Sequence, residues 1–168
     1  MVDAVLGKMQ FRGNSPVVVL DAPDESEAML SDWAQQATLI RDASEVDDPA
    51  PMVLRFVRTC ADIERLAAHT VGLLAEDGLL WFAYPKKSSR RYRCDIGRDD
   101  SWGALGDLGF EPVRQVAIDE DWSALRFRPV GDITSFTRES TRALSAEGRR
   151  RAQSTASDRP DGQVRRSP

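Results

Sequence analysis

The sequence predicts an α/β protein: a three-layer sandwich whose sheet is mostly parallel and ends in an antiparallel hairpin. Short runs of apolar residues alternate along the chain with segments of helical periodicity, a pattern typical of a sheet covered by helices on both faces. The runs are apolar throughout, as in parallel strands that are buried on both sides. The last two are joined only by residues 119–121, too few for a crossover helix, so these two strands must pair antiparallel.

The first half of the chain contains three of the predicted strands. Pro16 to Asp21 is a β-branched run, and the helix expected after it has Asp24, Glu25 and Glu27 in its first turn. Residues 38–40 form a second short strand, an acidic loop follows, and Met52 to Val57 is the third. Carboxylates are favourable at a helix N-terminus, so the acidic cluster supports a helix start after Pro23.

The second half continues the alternation. Apolar residues recur at helical spacing from Cys60 to Ala75, and Gly78 stands where a left-handed helix cap is expected. The strand Leu79 to Tyr84 comes next, then a helix over 102–108 that Gly109 closes, then strands over 113–118 and 122–127. The order is therefore strand, helix, strand, strand, helix, strand, helix, strand, strand.

Length and composition limit the number of domains. The chain has 168 residues and 41% hydrophobic content, which is enough for one ordinary core. Apolar periodicity fades after Pro129, and Ser, Arg, Gly and Pro dominate from Arg138 onward. We expect one domain over residues 1–137 and a disordered tail over residues 138–168, because such a composition buries too little surface to offset its ordering entropy.

Charge and composition also exclude some classes of function. The net charge of −4 disfavours a dedicated nucleic-acid coat protein, although the arginines of the tail could contact an acidic partner or nucleic acid. No apolar run approaches the roughly 18 residues of a membrane span, and no signal peptide is recognisable, so we expect a cytoplasmic protein. Two cysteines and one histidine make neither a disulfide framework nor a zinc site, so no metal is expected.

The order of elements resembles the Rossmann-like fold of class I S-adenosylmethionine-dependent methyltransferases. In that fold the first strand ends in an acid and a glycine-rich turn that lets the backbone approach the cofactor. Here Asp21 stands in the place of the acid, but Ala22 and Pro23 replace glycines, and the carboxylates that follow would repel the cofactor's own carboxylate. We therefore expect a domain without catalytic activity and without a cofactor.

The alternative hypothesis, that the protein is an active methyltransferase, stays open. In methyltransferases that act on amino groups, the loop after the third strand commonly carries an Asn-Pro-Pro-Tyr type of sequence, whereas this chain has Arg58-Thr59-Cys60-Ala61-Asp62. Oxygen-directed methyltransferases can lack such a signature. The alternative is thus a divergent enzyme that binds S-adenosylmethionine against Asp21 and Asp42.

A second resemblance covers about residues 17–128. The chain is similar to a family of small bacterial domains of unknown function, in which a strand ends in Trp/Tyr-Pro-Lys, a Ser-rich basic loop leads to an Asp-containing segment, and the last strand carries Trp-Ser-Ala/Gly. The matching residues here are Tyr84, Pro85, Lys86, Lys87, Ser88, Ser89, Asp95, Arg98, Asp99, Trp122, Ser123 and Ala124. That family is similar to methyltransferases in fold, and the resemblance implies no particular chemistry.

The basic loop after the strand that ends at Tyr84 is the predicted binding site. Ligands of open α/β sheets bind outside the carboxyl ends of strands, and Lys, Arg and Ser donate well to oxyanions. The candidate ligand-binding residues are Tyr84, Lys86, Lys87, Ser88, Ser89, Arg90, Asp95, Arg98 and Trp122. The alternatives are a solvated loop, a capping role for the region around Asp95, and a core position for Trp122.

Three functions therefore compete. The leading prediction is a non-catalytic domain that binds a small anionic ligand or an acidic protein partner through residues 86–98. The alternative is the divergent methyltransferase. A third is an interaction module whose ordered domain presents the Arg-rich tail.

Overall fold

The computed structural model describes residues 3–97 and 101–132, so the predicted tail and Arg98 lie outside the described residues. Six strands form one sheet in the order β2-β1-β3-β4-β6-β5. They are β1 (Val17–Leu20), β2 (Leu39–Ile40), β3 (Ala50–Phe56), β4 (Leu74–Pro85), β5 (Phe110–Ala117) and β6 (Trp122–Pro129). β1 to β4 are parallel, and β6 pairs antiparallel with both β4 and β5. The predicted Rossmann-like architecture, with its antiparallel hairpin, is confirmed.

Four helices cover the two faces of the sheet: α1 (Ala4–Lys8), α2 (Glu27–Ala34), α3 (Cys60–Gly72) and α4 (Gly103–Asp107). Leu6 of α1 and Trp33 of α2 are fully buried on one face, and Ile63 of α3 and Leu105 of α4 are fully buried on the other. Each face thus has its own apolar core, which is why the strands between them are apolar on both sides.

The sequence does not predict α1, which lies before the first strand. Asp3 caps it, since its carboxylate accepts from the backbone N–H groups of Val5 at 2.9 Å and Leu6 at 3.2 Å. The same carboxylate oxygen accepts the indole N–H of the buried Trp33 at 3.2 Å. This contact between distant parts of the chain fixes a helix too short to be stable alone.

α3 begins where the sequence places it and ends earlier than expected. Thr59 and Asp62 form a capping box at its start. Its last residue is Gly72, and Gly78 lies inside β4, so the predicted cap at Gly78 is wrong. The backbone N–H of Ala50 donates to the carbonyl of Leu73 at 2.8 Å, and this sheet pairing outweighs the continuing helical pattern.

The strand order reverses between β1 and β3. The chain passes from β1 to β2 on one side and then returns to build β3 and β4 on the other. In open α/β sheets such a switch point leaves a crevice at the carboxyl ends of the strands. Asp21, Asp42, Arg58 and Lys86 follow closely after the four parallel strands and therefore lie along this edge. Within residues 3–97 and 101–132, no helix is both long and apolar enough to cross a bilayer.

Candidate functional site

A cavity of about 400 Å³ opens at the switch point. This volume falls within the range of small-molecule sites. Its walls come from the ends of β1 and β3 and from the first turns of α3, and they include Asp21, Ala22, Phe56, Arg58, Asp62 and Arg65. Asp21 has a φ of 61°, so the chain turns out of β1 in the left-handed region without a glycine. Pro23 is buried and is not part of the cavity wall.

Arg55, which is buried in the sheet, holds the exposed carboxylate of Asp21 in place. Its side chain is 6% exposed, whereas that of Asp21 is 57% exposed, and Nη1 donates to Oδ2 of Asp21 at 2.7 Å. Arg55 Nε donates to Thr70 Oγ1 at 3.0 Å, and Nη2 lies 2.9 Å from Nδ1 of His69. A guanidinium has no acceptor, so His69 must accept through an unprotonated Nδ1. A buried cation therefore places a carboxylate at the mouth of the cavity.

Arg58 stands at the same mouth, next to the ring of Tyr92. Among the residues that the structure describes, no carboxylate lies within ion-pair distance of its guanidinium, which instead lies 5.2 Å from the ring centre of Tyr92. Asp62 is already engaged, because it accepts from the backbone N–H of Arg58 at 3.0 Å and from Arg65 at 3.1 Å. Burial raises the pKa of Asp62, but these hydrogen bonds and the charge of Arg65 outweigh it and leave the pKa below its ordinary value.

Two of the acids after β1, Glu25 and Glu27, have partners outside the cavity. Glu25 accepts from the hydroxyl of Tyr92 and, at 3.2 Å, from the indole N–H of Trp122, and it lies 3.8 Å from Arg91. Burial raises the pKa of Glu25, but the bonds from Tyr92, its own backbone and Trp122, with the charge of Arg91, lower it below its ordinary value. Glu27 pairs with Arg41 at 2.7 Å. Neither Glu25 nor Glu27 is thus free to repel an anion at the switch point.

Asp42 follows β2 and lies exposed at the same edge of the sheet. One of its oxygens, Oδ1, accepts from the backbone N–H and the hydroxyl of Ser44, at 2.9 and 2.8 Å, and so caps the short 3-10 turn Ala43–Glu45. These bonds lower the pKa of Asp42, so the carboxylate is ionised at neutral pH. A fixed anion therefore stands beyond β2, beside the end of β1.

A second, shallower groove of about 420 Å³ lies at the end of β4, among the predicted ligand-binding residues. Its lining includes Tyr84, Lys86, Lys87, Ser88, Gln115 and Ser123. The structure thus brings four of the predicted residues, Tyr84, Lys86, Lys87 and Ser88, into one concave surface. Gln115 and Ser123 were missed because they come from β5 and β6, and only the pairing of the hairpin shows that they lie beside β4.

The other predicted ligand-binding residues have different positions. Ser89 donates to Asp121 at 2.7 Å, and Asp95 accepts from the backbone N–H of Cys60 at 2.9 Å, so both hold the loop in place. Trp122 is fully buried against Phe56 and Tyr92, with ring centres 5.1 and 5.0 Å apart. Arg90 is exposed and is not part of the groove. Trp122 therefore occupies a core position, which the sequence analysis had given as the alternative to ligand binding.

Solved structures provide the comparison with known proteins. The chain is similar to a candidate type 11 methyltransferase from Sulfolobus solfataricus, with a TM-score of 0.51 and 10% identity over 75% of this chain and 89% of that one. It also matches a candidate tRNA (m1A22) methyltransferase from Streptococcus pneumoniae in complex with S-adenosyl-L-methionine, with a TM-score of 0.43 and 15% identity over 86% and 71% of the two chains. The sequence matches no protein-family model and no curated protein, so the likeness to small bacterial domains stays a prediction.

This comparison corrects two expectations. The expectations of a non-catalytic domain and of no cofactor are contradicted, because the solved structure that shares this fold with a TM-score of 0.51 is described as a candidate type 11 methyltransferase. The structure gives a physical reason for the error. The turn after β1 bends at Asp21 instead of at a glycine, and Glu25 and Glu27 have partners of their own. The chain thus shares a Rossmann-like fold with a solved structure that is described as a candidate methyltransferase.

Proposed function

We propose that this protein is an S-adenosylmethionine-dependent methyltransferase whose cofactor lies in the switch-point cavity. The observation that carries the proposal is the cavity itself, which opens between the carboxyl ends of β1 and β3 in a fold shared with a candidate methyltransferase. In open α/β sheets, ligands bind at that place.

The residues around the cavity fit the charges of the cofactor. The amino-acid end of S-adenosylmethionine carries one ammonium and one carboxylate, and its ribose has two hydroxyl groups. Arg58 would hold the carboxylate, since its guanidinium has no acid partner among the described residues. Asp21 would accept from the ammonium through the carboxylate that Arg55 holds. Asp42, an exposed carboxylate that follows β2 on the same edge of the sheet and outside the cavity wall, would accept from the ribose hydroxyls.

When bound, the cofactor would supply a methyl group from its sulfonium sulfur. An acceptor atom forms a bond to this methyl group with its lone pair, and the sulfur keeps the electrons of the broken carbon–sulfur bond. The chain's own residues bind and orient. Arg55 is buried and has three hydrogen-bonding partners, so Asp21 is held in one position before any ligand arrives. Phe56, which lines the cavity, packs edge to face against the buried Trp122, and Trp122 packs in the same way against Tyr92.

Isothermal titration with S-adenosylmethionine tests this proposal. We expect micromolar binding, and the Arg58→Gln variant should weaken it about tenfold, because one charge-assisted hydrogen-bonding partner of the carboxylate is lost. Asp42→Asn should also weaken it. The matched controls are Arg12→Gln and Asp107→Asn, which change exposed residues near the opposite edge of the sheet.

Both controls should leave the affinity within about twofold of the wild-type value. Absence of any binding heat at millimolar cofactor, in protein shown to be folded by circular dichroism, would contradict the proposal. If the control variants and Arg58→Gln lose the same amount of affinity for S-adenosylmethionine, the cofactor is attracted by the overall charge of the protein and not by this cavity.

A further inference from the structure

The groove at the end of β4 has no role in holding the cofactor as proposed above, yet it is on the same edge of the sheet. It combines two ammonium groups with neutral hydrogen-bonding groups: the hydroxyls of Tyr84, Ser88 and Ser123 and the side-chain amide of Gln115. Ser123 is 5% exposed and Tyr84 is also 5% exposed, so the floor of the groove is set by the sheet and its rim by the loop. A concave surface with convergent donors is the usual form of a small-molecule site.

Acids lie close to the two lysines of the groove in the described part of the fold, but these acids have other partners. Asp121 is occupied by Ser89 at 2.7 Å and by Arg91 at 3.6 Å, and Arg91 also lies 3.8 Å from Glu25. Among the residues that the structure describes, no carboxylate lies within ion-pair distance of Lys86 or Lys87. Asp121 and Glu25 are thus engaged by Ser89 and Arg91, and no acid of the described residues is paired with the lysines of the groove.

The loop that carries these lysines is fixed at its base. The backbone N–H of Lys86 donates to the carbonyl of Asp121 at 2.8 Å, and Ser89 N–H donates to the carbonyl of Lys86 at 3.0 Å. The hydroxyl of Ser89 in turn accepts from the backbone N–H groups of Arg91 and Tyr92, both at 3.1 Å. A loop ordered before binding loses less entropy when a ligand arrives, which favours a site over a merely solvated charge run.

We infer that this groove binds the oxyanion, phosphate or carboxylate, of a small methyl-accepting substrate. The inference rests on the proposed function, since it assigns the groove to the substrate of that reaction. β1 and β4 are separated only by β3, and neighbouring strands lie about 4.8 Å apart, so the groove is roughly 10 Å from the switch-point cavity along the sheet edge. The substrate is therefore a molecule whose anionic group and methyl-accepting atom are about that far apart.

A small ligand fits this site better than a nucleic acid does. Polyanion binding depends on many lysines and arginines spread over a surface. Here the acidic stretch from Asp21 to Asp48 follows the neighbouring strands of the same edge, and Arg91 is already paired with acids. A groove of about 420 Å³ whose two ammonium groups have no acid partner among the described residues is of the size that one oxyanion-bearing molecule fills.

The test measures binding of inorganic phosphate and of succinate by isothermal titration at constant ionic strength. The variant Lys86→Gln/Lys87→Gln removes both charges and keeps the side-chain length. The matched control, Arg90→Gln/Arg93→Gln, removes two exposed charges from the same loop outside the groove. We expect at least one probe to bind the wild type, to lose about tenfold in affinity in the lysine variant and to lose less than about twofold in the control.

Each outcome decides the inference. Binding of phosphate alone or of succinate alone supports it and identifies the oxyanion. Absence of binding by both probes overturns it, as do equal losses in the two double variants. An RNA oligonucleotide that binds more tightly than phosphate and succinate, and whose affinity both variants lower equally, would indicate a nucleic-acid surface. That result would overturn the inference as well. The affinity for S-adenosylmethionine should be the same in the wild type and in both variants. If the wild type does not bind S-adenosylmethionine at all, the proposed function is refuted, whereas the binding of phosphate and succinate still tests the groove.

Discussion

Arg55 donates a 2.7 Å hydrogen bond to Asp21 across the boundary between β3 and β1, at the point where the strand order reverses. The arginine side chain is nearly inaccessible and the carboxylate is mostly exposed. This pair therefore joins the core of the sheet to the mouth of the proposed cofactor site, and its two members should respond differently to substitution.

The first prediction concerns the stability of this pair. Asp21→Asn removes the charge that compensates Arg55 and should lower the free energy of unfolding by about 1–3 kcal/mol, the cost of a buried group left without a charged partner. The double variant Arg55→Met/Asp21→Asn should recover part of this loss, because the uncompensated cation is gone. Urea unfolding of the wild type, both single variants and the double variant gives the coupling energy.

Asp48→Asn is the control for that cycle, because Asp48 is exposed and lies in the loop before β3. It should change the free energy of unfolding by less than about 0.5 kcal/mol. A coupling energy of zero between positions 21 and 55 would show that the contact contributes nothing to the fold.

The second prediction is a pH dependence at Glu25. Its pKa is lowered in the folded protein, because hydrogen bonds from Tyr92 and Trp122 and the charge of Arg91 outweigh burial. A carboxyl with a depressed folded pKa stabilises the protein above its unfolded pKa, and this contribution is lost as the pH falls through the folded pKa. Glu25→Gln should therefore cost roughly 1 kcal/mol at pH 7, after screening by solvent, and progressively less as the pH falls through the folded pKa.

Thermal unfolding at pH 7 and at a strongly acidic pH checks this prediction, with Glu64→Gln on the exposed surface of α3 as the control. The gap between wild type and Glu25→Gln should close as the pH is lowered. A gap of the same size at both pH values would mean that the charge of Glu25 has no part in holding Tyr92 and Trp122.

The third prediction is a stabilising substitution at Arg126 on β6. Its Nε atom is buried and has no hydrogen-bond partner among the described residues, while the side-chain amide oxygen of Gln10 accepts from Nη1. Burial lowers the pKa of Arg126, and the charges of Arg128 and Arg114 lower it further. Arg126→Met should therefore raise the free energy of unfolding by about 1 kcal/mol, because it removes a poorly satisfied cation and keeps the apolar stem.

Arg114→Met, directly opposite on β5, is the comparison, since Arg114 is exposed. Its effect should stay within about 0.5 kcal/mol. Guanidinium chloride unfolding measures both variants. A loss of stability in Arg126→Met would show that the contact with Gln10 outweighs the buried, unpaired Nε.

The architecture could be predicted from the sequence because strand burial and helix periodicity are local signals. The apolar run before Tyr84 and the three-residue connection at residues 119–121 were enough to place β4 and the hairpin. The end of α3 could not be predicted, since the backbone bond from Ala50 to Leu73 joins distant parts of the chain. The same holds for α1, whose cap Asp3 depends on Trp33.

The candidate site was only partly predictable for the same reason. The run Tyr84 to Ser88 was recognised, because charges after a buried strand are visible in the sequence. Arg58 was missed as a binding residue, since its role follows from the strand order and not from its neighbours in the chain. Arg55, a charge inside an apolar run, was the one available signal of the network that holds Asp21.

The central claim is that the cavity between β1 and β3 holds S-adenosylmethionine. A crystal structure of the protein grown with the cofactor at saturating concentration tests it most directly. We predict electron density for the cofactor between Ala22 and Arg58, with its ammonium against Asp21. Density for the cofactor in the groove beside Tyr84, or an absence of density in both places, would contradict the claim.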